Sequence, residues 1–112
     1  MAGQGEVGEA FRRIGPLDAK AMVDRGEATV VDVREDWEWA KDHIPNATHT
    51  PLGRILSRPR DAISSDNLVF VCEVGQRSVV AAEMAAALGK ENVYNLEGGM
   101  TAWRREQLPV ER

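Results

Sequence analysis

Cysteine is nearly absent from this chain: Cys72 is the only one in 112 residues. One thiol excludes an internal disulfide and cannot found a cysteine-based zinc site. Histidine is almost as scarce. His43 and His49 stand alone, neither with a partner at metal-ligand spacing, so no metal or other cofactor is expected. Long apolar runs are missing too. No stretch approaches the ~20 apolar residues that span a bilayer, so no membrane insertion is expected. The opening MAGQGEVGEAF lacks a basic segment followed by an apolar one, so it does not read as a secretory signal. Positive charge is not in excess. A net charge of -4 argues against nucleic acid as the partner. Repeats, linkers and low-complexity tracts are also lacking. The lone thiol fits a reducing, cytoplasmic setting.

What is present suits one soluble domain over residues 1–112, with a Gly-rich, polar and flexible start at residues 1–10. Residues 11–14 form a short strand candidate. Pro16 opens a helix in which Leu17, Ala21 and Met22 share a face, and Gly26 closes it. ATVVDV, residues 28–33, is rich in β-branched residues and reads as a strand. EDWEWAKDH follows as a short helix with acids in its first turn, where the helix dipole favours them. IPNATHTPLG gives a turn and a short extended piece, and residues 52–58 another short helix. SSDN marks a loop. LVFVC, residues 68–72, is the continuous apolar run of a central parallel strand. RSVVAAEMAAALG is a helix stopped by Gly89. NVYNL is a last strand and GGMTAWRREQ a last helix. Strands alternating with helices predict an α/β fold with a mostly parallel sheet and helices on both faces. Ligands of such sheets sit at the carboxyl ends of the strands, where Cys72 falls.

The stretch CEVGQRS carries the chemistry. Glu73, Val74, Gly75 and Gln76 must turn tightly between the strand and a helix beginning near Arg77. Gly75 can adopt positive φ, which lets successive amides converge on one centre. Such a nest binds anions, and a helix N-terminus adds partial positive charge there. The pattern predicts a nucleophilic Cys72 whose anionic sulfur is cradled by backbone amides. The plainer alternative is a buried strand-end cysteine that packs as a small hydrophobe.

These residues resemble the active-site loop of rhodanese-like sulfurtransferases, C-x-x-G-x-R-S. VDVRE at residues 31–35 resembles the family's D-V-R-E strand end. DHIPNA at residues 42–47 resembles G-H-I-P-G-A, and YNLEGGMTAW at residues 94–103 resembles L-x-G-G-x-x-x-W. The four motifs stand in family order across residues 14–104. The resemblance implies a three-layer rhodanese-like fold, a five-stranded sheet flanked by helices. It also implies sulfur transfer through a Cys72 persulfide, from a small donor such as thiosulfate to a thiophilic acceptor such as cyanide or a thiol, with the protein a monomer. The alternative is a sulfur-carrier or interaction module that receives persulfide from a partner protein. Rhodanese-related phosphatases have one residue more between cysteine and arginine, and the shorter loop here suits a single sulfur better than a tetrahedral phosphate.

The remaining residues receive roles on this footing. Arg77 orients the loop, contacts an anionic donor, or makes a structural ion pair at the helix start. Ser78 caps the helix or hydrogen-bonds near the sulfur. Asp32 and Arg34, at a neighbouring strand end, form an ion-pair lattice that holds the loop, and Arg34 could touch substrate. Arg54 and Arg58 line the pocket entrance or are simply exposed. His43 bonds backbone. Trp37, Trp39 and Trp103 pack in the core or between helices. Asn46 replaces the family's glycine and tolerates a left-handed turn. Glu73 departs from the family. An acid beside the sulfur opposes its ionisation and repels thiosulfate.

Overall fold

The computed structural model describes residues 10–112. Five strands and six helices follow one another along the described chain: β1 (Arg12–Ile14), α1 (Pro16–Asp24), β2 (Thr29–Asp32), α2 (Asp36–Lys41), β3 (Thr48–His49), α3 (Leu52–Ser57), α4 (Pro59–Ala62), β4 (Leu68–Val71), α5 (Arg77–Ala87), β5 (Val93–Leu96) and α6 (Gly99–Arg105). The sheet order is β1-β5-β4-β2-β3, and every pair is parallel. Apart from Ala10, the flexible start expected at residues 1–10 lies outside the described residues.

The period of two along β4 divides the core. Leu68, Phe70 and Cys72 face one layer, with Ile55 of α3 and Ala81, Ala82 and Ala85 of α5. Val69 and Val71 face the other, with Ala19 of α1 and Met100 and Trp103 of α6. All four β4 residues are buried, as the apolar run requires of a central parallel strand. The alanines of α5 have no bulk to hold the helix off the sheet. The helix ends before Gly89, whose φ of +86° is costly for other residues.

The short helix expected over residues 52–58 is present as α3, and a further one-turn helix, which the sequence reading left unassigned, begins at Pro59. Proline bars its predecessor from helical geometry, and Arg58 breaks away at φ -140°, ψ 66° before the chain re-enters a helix. Trp37 is not a core residue. It is 63% exposed, with the Lys41 ammonium 5.0 Å from its ring centroid. Asn46 does take the left-handed conformation, at φ 66°. Among the described residues no helix is long and apolar enough to cross a membrane.

Candidate active site

Parallel register brings the key residues to one edge. Asp32 pairs with Val71, and the next amide, of Val33, donates to the Val71 carbonyl at 2.9 Å. The chain leaving β2 therefore runs beside Cys72 as it leaves β4. Cys72 itself is fully buried. Its Sγ accepts N–H bonds from Gly75 at 3.2 Å and Ser78 at 3.4 Å, and Ser78 Oγ stands 3.4 Å away. Gly75 reaches this position with φ +98°, a conformation glycine adopts freely. The eleven-residue α5 begins at Arg77, so its N-terminal amides face the same point. The sulfur is thus both a packed core atom and the focus of an amide nest. Burial and nest do not compete here, because the loop folds over the thiol.

The carbonyls of this segment are fixed from the other side, by residues whose role the sequence reading missed. Met100 N–H donates to the Cys72 carbonyl at 2.8 Å and Thr101 N–H to that of Glu73 at 3.0 Å. These are the free amides at the start of α6. With its carbonyls drawn toward α6, the loop turns its own N–H groups inward. The approach is so close that a Cβ on Gly99 would meet the Glu73 carbonyl carbon and oxygen at 2.6 Å. The signal was present in the Gly98-Gly99 pair.

Around the loop runs a lattice of ion pairs. Arg34 and Asp32 are both buried, and the Arg34 guanidinium grips the Asp32 carboxylate through Nε at 3.0 Å and Nη2 at 2.8 Å. The same guanidinium donates to Glu73 at 3.3 Å and to the Asp42 carbonyl at 2.6 Å. Arg104 takes Asp42 with two bonds, at 2.8 and 2.7 Å, and Glu73 at 2.7 Å. Burial pushes the Glu73 carboxyl up, but hydrogen bonds from Arg104 and Thr101 outweigh it and hold the group below its usual range. Glu73 is therefore bound into this lattice by Arg34, Arg104 and Thr101, and its charge is compensated rather than free beside the sulfur.

Of the three roles open to Arg77, the structure displays an ion pair. Arg77 clamps Glu38 at 2.7 and 2.9 Å. These bonds hold the Glu38 carboxyl down to about 2 and raise Arg77 further above the ordinary arginine range, with a smaller Coulomb contribution from Cys72. Val74 and Gln76 form the exposed outer lip of the loop. Arg54 and Arg58 are exposed and do not line the cavity beside it. His43 Nδ1 meets the Trp39 carbonyl at 2.9 Å, and its ring stacks on Trp39 at 3.6 Å. His49 stacks on Trp39 at 4.7 Å, with Nε2 at 2.8 Å from the Arg34 carbonyl. Among the described residues no group of three or more His, Cys, Asp or Glu side chains could hold a metal ion.

Residues 16–106 match the Rhodanese-like domain family. The thiosulfate sulfurtransferase GlpE of Pseudomonas syringae is 36% identical over 94 residues, 84% of this chain and 88% of its own. YrkF of Bacillus subtilis, named as a candidate sulfur carrier, is 36% identical over 85 residues, 75% of this chain but only 46% of its own length. Among solved structures, a rhodanese-related protein of Thermoplasma volcanium superposes with a TM-score of 0.80 at 29% identity, covering 90% of this chain and 98% of its own.

Proposed function

The chain belongs to the rhodanese-like domain family, and from that premise we propose that it is a sulfurtransferase working through a persulfide on Cys72. The carrying observation is the nest at that sulfur, two backbone N–H groups from Gly75 and Ser78 on one buried Sγ. Hydrogen bonds to a sulfur anion favour the charged form that attacks.

In the first half, the Cys72 thiolate attacks the outer sulfur of thiosulfate. The S–S bond of thiosulfate breaks, sulfite leaves with its electron pair, and Cys72 carries a persulfide. In the second half, cyanide or a thiolate attacks the outer sulfur of that persulfide, and Cys72 leaves as thiolate. The charge on sulfur is held at every stage by the Gly75 and Ser78 amides and the start of α5. Arg77, paired with Glu38, fixes the start of α5 beside the sulfur. Asp32, Arg34 and Glu73 position the loop, and Val74 and Gln76 form its rim. No resolving cysteine exists in the chain, so the acceptor comes from outside. The lone thiol suits a reducing compartment such as the cytoplasm.

The similarity to YrkF favours a second reading, a carrier domain loaded by a partner protein with little turnover on small donors. Intact mass after incubation with thiosulfate decides between them. A gain of about 32 Da, lost on adding cyanide and absent in Cys72→Ser, supports the enzyme. No gain with thiosulfate, but a gain from a persulfidated protein donor, supports the carrier. No gain from either sinks both.

A further inference from the structure

Asparagine stands where the sheet calls for an apolar residue. Asn95 lies on β5 opposite Phe70 of β4 and is fully buried. The period of two puts it on the same face as Val93, which packs with Phe70, Cys72 and the alanines of α5. Its side chain is only half satisfied. Nδ2 donates to a Glu97 carboxylate oxygen and, at 3.5 Å, to the Gly75 carbonyl. Oδ1 is buried with no hydrogen-bond partner, the one such side-chain atom among the described residues. Turning the amide over gives no relief, because Oδ1 would then face the Glu97 carboxylate and the Gly75 carbonyl, both acceptors. A buried, unpaired amide oxygen is costly, and asparagine is a poor strand residue. Glu97 does not require the bond, since its side chain is 43% exposed and pairs with Arg13. What Asn95 supplies that no apolar residue can is a donor to Gly75.

Gly75 needs that hold. Its N–H reaches Cys72 Sγ at 3.2 Å, and it does so at φ +98°. Glycine is also the residue freest to rotate out of such a conformation. The carbonyls of Cys72 and Glu73 are fixed by the Met100 and Thr101 amides. The Gly75 carbonyl is held by the Asn95 amide instead. We propose that Asn95 is a positioning residue for sulfur transfer: it clamps the Gly75 carbonyl so that the Gly75 N–H stays on the sulfur, and the sheet loses stability to provide it. The proposal rests on the persulfide reading above and adds to it a residue that acts through Gly75. A side chain that breaks the rules of its own strand beside a reacting atom is expected where function, not folding, selects it.

The test sets stability against reactivity in two variants of the full chain. Asn95→Val suits a buried strand position and removes both the unpaired oxygen and the donor. Its urea midpoint should equal or exceed that of the wild type. Its loading by thiosulfate should be about tenfold slower, less than the loss of a donor that touches the reacting atom itself. Asn95→Ala leaves a space beside the Glu97 carboxylate and the Gly75 carbonyl, polar enough to hold a water that donates in place of Nδ2. It should be less stable than Asn95→Val and yet load faster. In unloaded protein the Gly75 amide proton, moved downfield by its bond to sulfur, should shift upfield in Asn95→Val and part of the way back in Asn95→Ala. Normal loading or an unmoved Gly75 resonance in Asn95→Val overturns the proposal and leaves the persulfide reading intact. So does an Asn95→Val that is destabilised or unfolded, or loading that follows the order of stability, since Asn95 would then be an ordinary structural residue. A wild type that gains no sulfur from either donor sinks the persulfide reading. The Gly75 resonance and the order of stability then still decide whether Asn95 holds the loop.

Discussion

Arg77 and Glu38 join the first turn of α5 to α2 through a bidentate ion pair, with N–O distances of 2.7 and 2.9 Å. Glu38 also accepts the Glu35 N–H at 3.0 Å, as half of the capping box of α2. One carboxylate therefore ties the sulfur loop to a helix start. Glutamine can keep the cap but not the charge. Glu38→Gln should cost about 1–2 kcal/mol and lower Tm by about 5–10 °C. Thermal unfolding followed by circular dichroism checks this, and an unchanged Tm would reduce the pair to surface decoration.

The same pair sets a pH dependence. The folded Glu38 carboxyl titrates at about 2, against about 4.3 for an unfolded glutamate. A depressed pKa gives stability that is fully present above the unfolded value and is lost as pH falls toward the folded one. The gap in urea midpoint between wild type and Glu38→Gln should therefore be constant from neutral pH to about 5, then close between about 5 and 2. Glu73 and Asp42, also held low, titrate in both proteins and cancel in the difference. A gap that stays constant down to pH 3 would mean the ion pair is not what Glu38 contributes.

Gly99 offers a test of the α6 contact. It holds φ +57°, and an added Cβ would run into the backbone of Cys72 and Glu73. The obstacle is backbone, which cannot swing away as a side chain can. Gly99→Ala should destabilise by about 2–4 kcal/mol, from left-handed strain plus overpacking. It should also slow thiosulfate loading of Cys72 by about tenfold or more, since small misplacements of a catalytic group are costly. Normal loading in a destabilised variant would separate the α6 contact from the chemistry.

Much of this was legible in the sequence because it depends on local pattern. The alternation of β-branched runs with alanine-rich helix marks the parallel sheet, and a cysteine between strand and Gly-containing turn marks the nest. The Gly98-Gly99 pair was visible as a motif, but its work depends on α6 packing against a loop more than twenty residues earlier, which no local pattern encodes. Long-range partner choice also explains the other gaps. The spacing of Arg77 is compatible with substrate or with an ion pair. Only the placement of α2 supplies Glu38. Trp37 looks like core because tryptophan usually is, yet the buried residue of α2 is Glu38, Trp39 is half-buried against His43 and His49, and Trp37 is left outside.

Glu73 is where local reading and structure diverge most in their consequences. An acid next to the cysteine looks like a repulsive charge, yet its carboxylate is shared between Arg104 at 2.7 Å and Arg34 at 3.3 Å. Glu73→Gln removes one negative charge and leaves both guanidinium groups less neutralised beside the loop. Thiosulfate, a dianion, should then approach more readily, with kcat/KM up about two- to fivefold at low salt and the gain fading near physiological ionic strength. Stability should fall at the same time, by about 1 kcal/mol, as the lattice loses an acceptor. Steady-state kinetics at two salt concentrations, paired with urea unfolding, read both effects. A gain that ignores salt would point to altered loop geometry rather than charge, and no gain at all would mean that the arginines already cancel Glu73 as seen from the donor.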